Sequence, residues 1–341
     1  MTSNFYESLP NVAVALIPVI LFLGSLIFLD SYKLVRVQSI LGTMLIGCIA
    51  AGVLFVVIEV LRWFPASSPE YSRYGAPVVE EVLKAGFVVY LIRARKVGFM
   101  VDAAIQGFAL GAGFALVENI YYLWSLNETN LVVWVVRGFG TAIMHGGATA
   151  IVGIVSKNLV DVRDSNSPLL FVPGLLTAVI VHSAFNHLID YLGAITSTTI
   201  TIIILPALIL GAFMQSEKST RNWLGVGFDN DADLLTMITS GGVGKTRIGQ
   251  YLDSLQNRFS AEVVVDMLCY LRIYLELAIQ AKGILMMRES GFTVEADPAV
   301  RAKFDELTYL HKSIGKTGLL ALSPFLRTSN RDLWQMHMLK S

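Results

Sequence analysis

Charge is scarce in this chain. Only 15% of its 341 residues are Asp, Glu, Lys or Arg, where a soluble globular domain carries roughly a quarter. With 54% hydrophobic residues and a mean hydropathy of +0.61, a freely soluble enzyme is excluded. Neither sign of charge dominates: 26 basic residues balance 26 acidic ones, which removes any global electrostatic case for a nucleic-acid partner. Cysteine is nearly missing as well. Cys48 lies in an apolar run and Cys269 in a helical pattern, so neither a disulfide framework nor a CxxC metal site is available. The opening MTSNFYESLP has no basic segment, so the long apolar stretch after it reads as a retained span rather than a cleaved signal. The sequence shows no internal repeat and no low-complexity tract.

What charge there is sits unevenly. Residues 1–216 hold 23 of the 52 charged side chains and residues 217–341 hold 29. This divides the chain into a membrane body, 1–216, and a soluble helical tail, 217–341. A span needs about 20 mostly apolar residues, and seven stretches qualify: Asn11 to Leu29, Gln38 to Leu61, Pro77 to Ile92, Phe99 to Trp124, Gly138 to Val160, Leu169 to Tyr191 and Ala194 to Met214. The third is short and charged at its start. The fifth is taken to begin at Gly138, which leaves LVVWVV as an interfacial approach and Arg137 near the surface. The expected fold is therefore an all-α polytopic membrane protein with about seven transmembrane helices and a C-terminal helical domain. Short loops on one side carry Lys33, Arg36, Arg93, Arg95, Lys96, Lys157, Arg163, Lys218 and Arg221, against Arg62, Arg73 and Arg137 on the other. By the positive-inside rule the N-terminus lies outside and the C-terminus in the cytoplasm.

In the tail, Ser260 caps a long helix that stops at Gly291, Asp297-Pro298 opens a second helix through His311, and Asn330 opens a last short one. Asp266, Arg272 and Glu276 near one stripe of the long helix argue against an eighth span. Two motifs invite over-reading. TSGGVGKT, Thr239 to Thr246, resembles a phosphate-binding loop but lacks its first glycine and any following strand–helix alternation, so it reads as a glycine-rich turn before a helix. DNDADLL from Asp229 imitates a calcium loop without its central glycine or terminal glutamate, and reads as a helix N-terminus. The triplet Asn127-Glu128-Thr129 is a glycosylation sequon in a predicted outer loop.

Ionisable groups inside spans are costly and mark a site by default. Here they gather on four successive spans: Glu80, Glu81 and Lys84 in PVVEEVLK, Glu118 and Asn119 in GFALVENIYYLW, His145 in MHGGATAIVG, and His182, Asn186, His187 and Asp190 in HSAFNHLID. Counted at about 1.5 Å per residue, all fall in the outer half of the bilayer. Two histidines and a glutamate with a fourth position for water are the ligands of a catalytic zinc, which Glu118, His145 and His182 supply. Glu80 or Glu81 then serves as proton carrier, and Asn186, one turn from His182, as hydrogen-bond donor to an oxyanion. Each residue also has a plainer reading. Glu80 or Glu81 with Lys84 makes a helix ion pair, Glu118 with Asn119 an interfacial pair, and His145 an interhelical hydrogen bond. His187 and Asp190 fit the interface best, while Asp102, Glu59 and Arg137 fit the rim or packing.

The order EEVLK, FALVEN, His145 with its small-residue stretch and HSAFN resembles the PrsW family of intramembrane metalloproteases, itself similar to the CAAX prenyl proteases. The resemblance covers roughly Pro77 to Asp190. Glu118 after Phe114, where the CAAX enzymes place a histidine, favours the PrsW branch. It implies cleavage of a membrane-embedded or membrane-tethered protein near the outer face, with a divalent metal such as Zn2+, with Glu80 and Glu81 catalytic and Glu118, His145 and His182 as ligands, assisted by Asn186. Sequence does not separate the paired glutamates; similarity to the CAAX enzymes points to Glu80 as base. The implied partners are a membrane-protein substrate and the lipid bilayer; the long helical tail departs from a minimal membrane core of this kind, and a cytoplasmic partner is a separate expectation for it. Two other classes fit the same polar residues: an ion- or proton-coupled transporter, and a non-catalytic membrane scaffold.

Overall fold

A computed structural model describes residues 3–61, 68–125, 130–240, 244, 246–292, 294, 297–326 and 329–340. Arg62, the sequon at Asn127 and most of the glycine-rich stretch after Ser240 lie outside the described residues. Every regular element among the described residues is helical. The chain forms two compact units, Met1–Glu217 and Lys218–Ser341.

The first unit contains α1 (Ser3–Leu29), α2 (Val37–Leu61), α3 (Ala76–Arg93), α4 (Met100–Ser125), the short α5 (Leu131–Val135), α6 (Ala142–Arg163), α7 (Val172–Leu192) and the first part of α8 (Ala194–Thr239). Its axis is α4. Residues Met100 to Ala115 are buried without interruption, as expected of a helix that is apolar all round and packed among others. α4 lies chiefly against α6 and α2, while α3 packs on α6, α7 and α4. Small residues make the α4–α6 approach possible. A Cβ on Gly111 would run into the backbone of His145 and Gly146, and one on Gly107 would lie 2.6 Å from the Thr149 carbonyl oxygen. At the start of α4, buried Asp102 accepts from the N–H groups of Gly98 (2.6 Å) and Phe99 (2.7 Å). This satisfies backbone donors of the connection from α3 that water does not reach.

The helices differ from the expected spans in three places. Among the described residues, six helical stretches are long and apolar enough to cross a membrane by length and composition. α3 is not among them, because Glu80, Glu81, Lys84 and Arg93 all fall within its 18 residues; Glu81 and Lys84 are buried among neighbouring helices. The helical stretch of the fifth span begins before Gly138. It runs from Leu131 to Arg163, 33 residues, through a π-helical turn at Val136–Thr141, because Arg137 finds partners inside and need not reach the surface. The helix of the last candidate span continues beyond Met214 to Thr239, so Asp229 to Leu235 lie within a helix rather than at its start.

The second unit comprises the rest of α8 with α9 (Arg247–Leu255), α10 (Ala261–Glu289), α11 (Ala299–Leu322) and α12 (Asn330–Lys340). Thr246 caps α9, accepting from Gly249 N–H at 3.1 Å, and Ser260 caps α10. The helix expected to end at His311 runs on to Leu322, with a break at Gly315, where φ is +64°. Met267, Leu271 and Leu275 of α10 form the middle of the core with Phe304, Leu310 and Ile314 of α11. Lys282 is wholly buried there and pairs with Asp231 at 2.6 Å, above the Trp223 ring. The spacing of α4 and α6 is open to test: Gly111→Ala must push two backbones apart and is expected to cost about 1–3 kcal/mol. A lowered melting temperature in detergent would show it; an unchanged one would mean that the helices do not meet this closely.

Candidate metal centre

The π-helical turn Tyr71–Gly75 leads into α3, whose first turn holds Pro77, a residue with φ preset for a helix start. α3 then presents Glu80, Glu81 and Lys84. Successive residues on a helix differ by about 100°, so the paired glutamates face different neighbours. Glu81 is fully buried: its Oε1 accepts from Lys84 Nζ at 2.6 Å and lies 2.9 Å from His182 Nδ1 on α7. Glu80 keeps some exposure, and its Oε2 lies 3.8 Å from His145 Nδ1 on α6.

His145 is held from both sides. Its Nε2 is 2.7 Å from Glu118 Oε2 on α4, and its Nδ1 is 3.0 Å from Lys84 Nζ. The other Glu118 oxygen, Oε1, accepts from Arg137 Nη2 at 3.1 Å. Arg137 also donates from Nε to Asn119 Oδ1 at 3.1 Å and stacks 3.8 Å over the Tyr122 ring. The rings of His145 and His182 stand edge to face, 4.7 Å between centroids. Phe114, one turn before Glu118, walls the site, 5.4 Å from the His145 ring.

Hydrogen-bond chemistry assigns the tautomers. A lysine ammonium has donors only, so Nδ1 of His145 accepts from Lys84 and its Nε2–H donates to Glu118; a carboxylate only accepts, so Nδ1–H of His182 donates to Glu81. Each imidazole therefore has one nitrogen oriented by a carboxylate and its lone pair on the other, the arrangement that metal-binding histidines adopt; on His145 that lone pair is engaged by Lys84. Glu80, His145 and His182 can each offer a ligand atom within 4.8 Å of the others. On a tetrahedral zinc such atoms are about 3.4 Å apart, so a modest contraction closes the set once His145 Nδ1 is released from Lys84. Glu80 Oε2 and Glu81 Oε2 are buried and make no hydrogen bond. Buried carboxylate oxygens without a partner call for a missing cation or water, so these residues suit a divalent metal.

The expected residues are thus divided. Glu80, Glu81, Glu118, His145 and His182 come together. Glu118 meets His145 through Nε2, while Glu80 faces the opposite nitrogen. Asn186 makes a separate contact: one N–H of its carboxamide donates to the Ser72 carbonyl at 2.8 Å. With Ser183, which donates to Arg73 O at 2.6 Å, and Asp190, which pairs with Arg73 at 2.7 Å, it fastens α7 to the turn before α3. His187 turns back to its own helix, with Nδ1 2.7 Å from Ser183 O. Two residues that matter here carried plainer readings in the sequence. Lys84 was expected as a helix ion pair and Arg137 near the surface. The available signal was charge: an arginine beside one span needed a carboxylate, and Glu118 on the preceding span supplied it.

A family profile describing PrsW family intramembrane metalloproteases matches residues 36–211, which run from the loop before α2 into α8 and enclose all the residues above. No curated protein and no solved structure matches the chain. Six membrane-length helices, a buried Glu/His/His group and a profile match over half of the sequence agree on one conclusion: this chain belongs to the PrsW family of intramembrane metalloproteases.

Proposed function

We propose that the protein hydrolyses a peptide bond in a membrane-embedded or membrane-tethered protein, near the outer face of the bilayer, at a metal held by Glu80, His145 and His182. The observation that carries this reading is the pair of imidazoles, each oriented by its own carboxylate, with His145 Nδ1 turned towards Glu80. Zinc suits a site of two nitrogen ligands and one carboxylate. When bound, such an ion acts as a Lewis acid on water and on the scissile carbonyl.

The chain's own groups take the remaining parts. Both oxygens of Glu118 are engaged, one by His145 and one by Arg137, so Glu118 serves best as the orienting carboxylate of His145. Glu80 takes its place in the ligand set. Glu81 keeps an oxygen with no hydrogen bond beside the site, and we assign it the base: Oε2 takes a proton as the water oxygen joins the carbonyl carbon, then passes it to the amide nitrogen as the C–N bond breaks. Asn186 retains a second N–H, which the carbonyl oxygen of the substrate can accept as charge develops on it. The excess of lysine and arginine on one set of loops supports an outside N-terminus and a cytoplasmic C-terminus. Residues 1–216 are then the protease domain, and the helical tail is a cytoplasmic module able to engage a partner.

Purified full-length protein, reconstituted in liposomes with labelled single-span peptides and read by mass spectrometry, is expected to cleave only while metal is present. His182→Ala and Glu81→Gln should reduce cleavage by about 10²–10⁴-fold, and a chelator should abolish it until Zn2+ is returned. Continued cleavage after chelation would defeat the assignment. Metal analysis separates the carboxylates: Glu80→Gln loses bound zinc, whereas Glu118→Gln retains it at lower affinity. Arg137→Met, by releasing Glu118, is expected to weaken zinc binding about 10–100-fold, with partial recovery in Arg137→Lys; unaltered calorimetric affinity would remove Arg137 from the site.

A further inference from the structure

The hydrolytic roles leave Lys84 over. It is fully buried, and its Nζ lies 2.6 Å from Glu81 Oε1, 3.0 Å from His145 Nδ1 and 4.8 Å from the centre of the Phe114 ring. A helix ion pair three residues apart accounts for the first contact alone, and such pairs are ordinarily solvated. The second contact falls on the nitrogen that faces Glu80. That nitrogen has one in-plane lone pair, and an N–H of Lys84 occupies it. A zinc ion about 2.0–2.1 Å from a histidine nitrogen has no room beside an ammonium hydrogen-bonded to the same lone pair.

We propose that Lys84 is an internal stand-in cation: it occupies the metal-facing nitrogen of His145 in the metal-free protein, and a divalent metal binds only by displacing it. This rests on the ligand set given under the proposed function. In the absence of metal, three carboxylates from α3 and α4 converge where, among the described residues, Arg137 is the other lysine or arginine paired with them, beside the two imidazoles. Unpaired buried charge is strongly destabilising, and Lys84 supplies the compensating charge that keeps the helices assembled before metal arrives. The exchange requires little movement. Lys84 and Glu81 lie on the same helix, so their pairing can persist when the flexible lysine stem swings away from His145.

The test uses full-length protein in detergent, stripped of metal, as wild type and as Lys84→Met. Zn2+ affinity is measured by calorimetry and thermal unfolding is recorded with and without Zn2+. Without the competitor, Lys84→Met is expected to bind Zn2+ on the order of tenfold or more tightly than wild type. Its melting temperature should also depend more steeply on zinc, since only metal then balances the carboxylates; a variant that folds solely with zinc present is the extreme of the same result. Equal affinity, with equal loss of stability in the zinc-free and zinc-loaded forms, would overturn the proposal and leave Lys84 as a structural partner of Glu81. So would a Lys84→Met chain that fails to fold even with zinc. A wild-type chain that takes up no divalent metal at all would instead overturn the ligand set itself, and the displacement with it.

Discussion

Ionised side chains buried inside a membrane bundle have to satisfy one another, and this requirement organises the first unit. Water is not there to solvate Glu81, Lys84 or His145, each almost inaccessible, so every charge must find an opposite charge or a hydrogen bond from another helix. The outcome is a chain of contacts across five elements: Arg137 from the π-helical turn, Glu118 from α4, His145 from α6, Lys84 and Glu81 from α3, and His182 from α7. Removing any member leaves the next one exposed to the cost of burial. The helices are consequently positioned by polar chemistry as much as by packing. The glycines of α4 serve the same end, since Glu118 can reach His145 only where α4 and α6 nearly touch.

Much of this was legible before the fold was known, and the reasons are local. Apolar runs near the length of a bilayer crossing announce helices, and polar residues within them stand out against that background. The order of glutamates, histidines and asparagine on successive spans carried the family. What sequence could not fix was rotation. Whether Glu80 or Glu81 turns towards His145 depends on how α3 is rolled about its axis against α6 and α7, and adjacent residues offer both choices at the same depth. Glu118 was expected among the ligands because its depth matched. Its carboxylate meets His145 at Nε2, whereas Glu80 lies towards Nδ1. Depth is a one-dimensional coordinate, and coordination needs three.

Arg137 and α3 show the same limit in another way. Hydropathy treats every charge as a cost, so it placed Arg137 near the surface and made α3 the least secure span. Burial with a partner changes that balance. Glu118, Asn119 and the Tyr122 ring receive the arginine, and α3 is held by the polar face that disqualifies it on apolarity. The second unit repeats the pattern: Lys282 and Asp231 are buried together between α10 and α8. Their pairing was invisible in a list of charges 51 residues apart.

The π-helical turn at Val136–Thr141 has a lasting effect on the helix that contains it. A turn closed by i→i+5 bonds accommodates one residue more than a regular one, so everything N-terminal to it is out of phase by about 100° with the segment that bears His145. Loss of a single residue within 136–141 would restore an ordinary helix and leave the histidine in place, yet it would swing the guanidinium away from its carboxylate. The insertion thus makes the angular setting of the arginine independent of that of the imidazole, and two halves of one rod can be tuned separately.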